Sequence, residues 1–177
     1  MKALRIALAL LALASPSFAA DKWVSPTGTA SWAAATFPGN PTSLATANAN
    51  AAAGDRVHML PGTYTTDISP TNNGTSGSRI VFMGAAGDSS SVIVPGVSLN
   101  GRDYVTIKWM RVTGSISGSP VAFGNGSTHN QCSNDSVYFV RALSSVNFDG
   151  ANNITLANCL IGRGGTSGIQ VTFAYYE

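Results

Sequence analysis

The sequence predicts an all-β chain: a right-handed parallel β-helix with a short N-terminal capping helix, truncated at its C-terminus. Three observations carry this. Short β-type runs recur with a period of roughly 24 residues. Gly, Asn and Ser turns separate them. Charged residues make up only 10% of the chain while apolar ones make up 44%, so a core can form without a charged helical surface.

Composition excludes several classes. Disordered chains combine low hydrophobicity with high net charge, and this one has neither. Its 177 residues suffice for about one domain. Lys2 and Arg5 lie in a segment expected to be removed, which leaves 10 − 2 = 8 basic against 8 acidic residues. A balanced chain has no net field to steer it toward nucleic acid or an anionic membrane.

Residues 1–19 read as a signal peptide. Lys2 and Arg5 give a positive start, and residues 6–14 are an unbroken apolar run. Ser15 and Pro16 break the run, and Ser17 and Ala19 place small residues before a cleavage site. The run is shorter than the about 20 residues that cross a bilayer. A buried N-terminal helix is the alternative, but the positive start and small-residue end favour export. The expectation is a secreted chain, periplasmic or extracellular, with no membrane span.

Residues 20–55 form the next unit. Trp23-Val24-Ser25-Pro26-Thr27-Gly28 reads as a short strand and turn, followed by a loop to Pro41. Residues 42–53 contain no Gly or Pro. Thr42 or Ser43 can serve as N-cap, Leu44, Ala47 and Ala51 share one face, and Gly54 is expected to end the helix. Its weakly apolar face suits a lid over the first strands, whose exposed edge needs a cover.

Residues 56–177 are expected to form the incomplete β-helix. Strands are expected at 56–60 and 79–83. From Val92 onward a repeat is visible. Val97-Ser98-Leu99, Val121-Ala122-Phe123, Val146-Asn147-Phe148 and Ile169-Gln170-Val171 share an apolar, small-or-polar, apolar pattern. Strand alternation points the first and third residues inward, giving the ladders Val97/Val121/Val146/Ile169 and Leu99/Phe123/Phe148/Val171. A second strand follows each of the first three: Val105-Thr106-Ile107, Val137-Tyr138-Phe139 and Ile154-Thr155-Leu156. The offsets are 8, 16 and 8, so the middle copy carries an insertion of 16 − 8 = 8 residues, near 126–133. Leucine-rich repeats would need a Leu and Asn ladder that is missing. No repeat buries its apolar face alone, so stacking supplies the stability.

Three stretches carry a family resemblance. They are Trp23-Val24-Ser25-Pro26-Thr27-Gly28, Ala53-Gly54-Asp55-Arg56-Val57-His58-Met59-Leu60-Pro61-Gly62-Thr63-Tyr64, and Gly74-Thr75-Ser76-Gly77-Ser78-Arg79-Ile80-Val81-Phe82. Together they resemble the opening of secreted bacterial proteins of the pectin-lyase-like superfamily, which are right-handed parallel β-helices. Asp103-Tyr104-Val105-Thr106-Ile107-Lys108 and Asn152-Asn153-Ile154-Thr155-Leu156-Ala157-Asn158 are similar to its later turns. The resemblance implies a polysaccharide partner and, in its enzymes, a lyase that cleaves acidic, uronate-bearing glycans by β-elimination. Such chemistry neutralises the uronate carboxylate, often with Ca²⁺ or Arg, and needs a base such as Lys. No motif transfers a catalytic residue, and the resemblance implies that the catalytic turns lie beyond Glu177. On that reading this chain alone is inactive. A non-catalytic glycan-binding or cell-surface scaffold is the alternative, because fold does not fix function.

Individual residues give weaker pointers. Lys108, Arg111 and Arg141, in or just after the second strands, are candidates for a basic strip that meets uronates. Ordinary surface charge is the simpler reading. Asp149, on an outward rung, is the candidate Ca²⁺ ligand, though a strand-ending Asp-Gly turn explains it as well. His58 is expected to face opposite Val57 and Met59. His129 falls in the inserted loop 126–132, the best local candidate for a binding contact. Cys132 and Cys159 are offset by about ten residues in the expected register, roughly 33 Å of extended chain. A disulfide needs Cα atoms within about 7 Å, so this register argues against pairing unless the inserted loop folds back.

Overall fold

A computed structural model of the chain describes residues 19–87, 91–113, 121–122, 130–133, 136–137, 146–147, 154–157 and 160–161. Among them are one helix and fourteen short strands. In chain order these are β1 (Asp21–Val24), α1 (Leu44–Asn50), β2 (Arg56–Met59), β3 (Gly62–Thr63), β4 (Ile80–Gly84), β5 (Val92–Val94), β6 (Val97–Ser98) and β7 (Val105–Lys108). They continue with β8 (Arg111–Val112), β9 (Val121–Ala122), β10 (Gln131–Ser133), β11 (Ser136–Val137), β12 (Val146–Asn147), β13 (Thr155–Ala157) and β14 (Leu160–Ile161).

The described residues are mostly strands, all-β in class, in three parallel sheets that the chain visits in turn from β4 onward. One sheet runs β1-β2-β4-β7-β10-β13, a second β14-β11-β8-β5-β3, and a third β12-β9-β6. In the first sheet Val57, Phe82, Ile107, Cys132 and Leu156 stand in one register at a nearly constant spacing along the chain. In the third, Val97, Val121 and Val146 align as the sequence led us to expect, and Ile68 bridges to Val97 to extend the row. Ile169 and Val171, and with them Phe123 and Phe148, lie outside the described residues.

Alternation explains what is inside. Val57, Met59, Ile80, Phe82, Val105 and Ile107 are fully buried, and Val92, Val94, Leu99 and Met110 join them from the other sheets and turns. Burying each such side chain contributes about 1.5–3 kcal/mol relative to leaving it in water. The second sheet was not foreseen, because its strands are only two or three residues long and so show little alternation.

The structure corrects the register of the middle repeat. Cys132 pairs with both Ile107 and Leu156, whereas Val137 pairs with Val112 and Ile161 in the second sheet. The strand equivalent to Val105-Thr106-Ile107 is therefore Asn130-Gln131-Cys132, and the offsets 105 − 97 = 8 and 130 − 121 = 9 reduce the expected insertion of eight residues to one. Asn130 takes an inward position with 0% exposure. It is tolerated there because its Oδ1 accepts the Val105 N–H at 2.8 Å and its Nδ2 donates to the Arg102 carbonyl at 2.7 Å. The cysteine argument changes with it. Cys159 lies only three positions beyond Leu156, the register partner of Cys132, so the wide separation expected from extended chain no longer stands. Cys159 itself lies outside the described residues.

The N-terminal end is closed by residues 25–51. Thr42 bridges to Val24 on the free edge of β1. The Thr42 amide donates to the Trp23 carbonyl at 2.9 Å, and the Trp23 amide donates to the Ala35 carbonyl at 3.0 Å. Thus the edge hydrogen bonds are used within the molecule. The helix α1 follows. Ser43 caps it, its Oγ accepting the Thr46 amide at 3.1 Å. Leu44, Ala47 and Ala51 pack into the core, so α1 is a core element and not only a lid. It crosses the end of the third sheet. Asn48 donates to the Asp67 carbonyl at 2.8 Å and accepts the Ser69 amide at 3.0 Å. The helix ends at Ala51, which turns extended, and Gly54 (φ +94°) instead serves the turn into β2.

Candidate functional site

The outward face of the six-stranded sheet carries the richest set of side chains. Register places Trp23, His58, Met83 and Lys108 in one row across β1, β2, β4 and β7. Trp23 and His58 stack, with ring centroids 4.7 Å apart and planes 19° from parallel. His58 Nε2 donates to Asp21 Oδ1 at 2.8 Å. A carboxylate only accepts, so Nε2 carries the proton of this bond and the ring is held in orientation. The stack follows from parallel pairing of Trp23 with His58 across the long excursion through the loop and α1. A search for the shorter repeat spacing passes over it.

Lys108 ends β7. Its Nζ sits 4.4 Å from the centroid of the Trp109 ring, a cation–π contact. Trp109 and Tyr104, which bracket β7, both adopt left-handed backbone, at φ +58° and +54°. Such conformations cost about 1–3 kcal/mol for a non-glycine residue and persist where the surroundings enforce them. Tyr104 has a structural reason: its carbonyl accepts the Ile80 amide at 3.1 Å. Arg79 packs beside it, 5.9 Å from the Tyr104 ring centroid. Its Nε donates to Thr106 Oγ1 at 2.7 Å and its Nη2 to the Val105 carbonyl at 2.9 Å. Burial lowers the Arg79 pKa and Tyr104 partly offsets this.

Lys108 and Arg111 do not share a sheet. Trp109 and Met110 turn the chain between them, so Lys108 closes a strand of the first sheet and the exposed Arg111 opens β8 of the second. Arg141, Asp149 and His129 lie outside the described residues. Among the described residues no group of three or more His, Cys, Asp or Glu side chains could hold a metal ion. A different cation was not anticipated at all. Lys22 is inward in register with Val57, only 8% exposed, and donates to the carbonyls of Trp32 at 2.8 Å and Ala33 at 3.4 Å. It fastens the loop that covers β1 and is structural.

The row can present an aromatic face and a positive charge together. His58 and Lys108 stand two strands apart, about 10 Å. No model of a known protein family, no curated protein and no solved structure matches the chain.

Proposed function

We propose that the three sheets are the faces of a right-handed parallel β-helix and that the protein is exported and acts on acidic, uronate-bearing polysaccharide, as a lyase working by β-elimination. The fold reading draws support from the recurring parallel register of the three sheets. The functional reading rests on one observation: Lys108 held over the Trp109 ring, in a row with Trp23 and His58. Aromatic faces suit the C–H faces of sugar rings, and an ammonium beside them suits a carboxylate. β-Elimination further requires a base for the weakly acidic proton beside that carboxylate.

A non-catalytic glycan-binding scaffold is the second reading. It is favoured by the engagement of His58 with Asp21 and of Lys108 with Trp109, which are holding contacts and not a paired acid and base. Full-length protein incubated with pectate, alginate and glycosaminoglycans separates the two. Growth of the ultraviolet absorbance of an unsaturated uronate supports the lyase. Calorimetric binding without that growth supports the scaffold. In either case Lys108→Ala and Trp109→Ala should each weaken acidic-glycan binding by about tenfold. Failure of the wild-type protein to bind any acidic polysaccharide would remove both readings.

A further inference from the structure

Asp55 is a buried carboxylate at the start of the first strand pairing. It precedes β2, and the pairing of Asp21 with Arg56 sets it opposite Ala20. It is 5% exposed. Its Oδ1 accepts the Ala20 N–H at 3.2 Å, and its Oδ2 accepts the Ala52 N–H at 2.9 Å. The Ala20 carbonyl in turn accepts the Arg56 amide at 2.9 Å, so Ala20 is fixed on both sides. Amide donors alone are modest compensation for a carboxylate taken out of water. Ala19, just before this pair, is exposed.

We propose that cleavage after Ala19 turns this contact into an ion pair between the new α-ammonium of Ala20 and the Asp55 carboxylate. The inference rests on the export reading. Hydrolysis breaks the Ala19–Ala20 amide with one water. Ala19 leaves with the new carboxyl group, and the Ala20 nitrogen becomes an amine that is protonated at neutral pH. The nitrogen already lies at hydrogen-bond distance from Asp55, so no rearrangement is needed. The amide contact already has an ionised acceptor, and cleavage adds a charged donor, so the new contact gains a direct attraction between opposite charges. Processing then tightens the place where β1 joins β2, and the unprocessed chain lacks that increment.

The exported protein should begin at Ala20 by intact mass and N-terminal sequencing. Any other start overturns both the inference and the cleavage site. With that start established, thermal unfolding is compared between the processed chain and the same chain acetylated on Ala20. Acetylation is expected to lower Tm by about 3–6 °C, and Asp55→Asn should abolish the difference. Equal Tm values, or a difference that survives Asp55→Asn, overturn the ion pair while leaving export intact. If Asp55→Asn does not fold, amine labelling at neutral pH decides the matter. The Ala20 amine should react about tenfold more slowly than that of a short peptide with the same start, and equal rates overturn the pair.

Discussion

Tyr64 ties two passes of the chain together through one hydroxyl. It donates to the Leu60 carbonyl at 2.8 Å and lies 3.0 Å from that of Val24, just past β2 and at the end of β1. Burial pushes its pKa far above the ordinary phenol value of about 10. The sign of the consequence follows. Below that ordinary value both folded and unfolded states keep the proton, and the group adds no pH dependence. Above it the unfolded chain releases a proton that the folded chain retains, so stability falls as pH rises, by up to about 1.4 kcal/mol per pH unit. Tyr64→Phe should remove this alkaline slope. It should also lower stability at neutral pH by about 1–2 kcal/mol, since the Leu60 carbonyl loses its donor while that of Val24 keeps the Leu60 amide. Urea titrations at neutral and at alkaline pH measure both effects, and an unchanged alkaline slope in the variant would assign it to another group.

At the scale of elements, the loop over β1 depends on a close approach that only glycine permits. A Cβ on Gly28 would overlap the Thr42 carbonyl and come within 2.9 Å of the Pro41 carbonyl. Both obstacles are backbone, and the Ala30 amide is bonded to that same Pro41 carbonyl at 3.1 Å. Neither can give way without opening the loop. Gly28→Ala should therefore lower stability by about 1–3 kcal/mol, in the range of overpacking. It should also expose the β1 edge, so that size-exclusion chromatography shows association at high concentration. Gly77→Ala is the control, because nothing lies within 4 Å of its added Cβ. Equal behaviour of the two variants would show that the loop does not guard the edge.

For the molecule as a whole, what could be read in advance was whatever repeated with an apolar signature. Val97, Val121 and Val146 pair in register as their spacing implied, because an apolar residue at the same place in each repeat has one explanation. Asn130-Gln131-Cys132 was overlooked in favour of Val137-Tyr138-Phe139 for the same reason. A search for inward apolar residues does not see an asparagine that is buried by satisfying a neighbouring backbone. The Trp23–His58–Asp21 contact was invisible because the loop and α1 lengthen that pass well beyond the repeat. Lys108 was singled out from its strand, but its seat on Trp109 depends on a left-handed backbone that no local pattern announces. These differences share a cause. The apolar rows set the architecture, and the polar residues find places within it that only three-dimensional pairing defines. Stability should follow the same division. Phe82 is fully buried between Val57 and Ile107 at the middle of the longest sheet. Phe82→Ala removes the largest such side chain and leaves a cavity that rigid parallel neighbours cannot close, a loss of about 3–5 kcal/mol. Charged residues are only 10% of the sequence, so the wild-type denaturation midpoint should move little between low and high sodium chloride. Chemical denaturation of both proteins at both ionic strengths tests the two statements together. A large salt effect with a small Phe82→Ala effect would mean that charge contacts, and not the apolar rows, hold the sheets together.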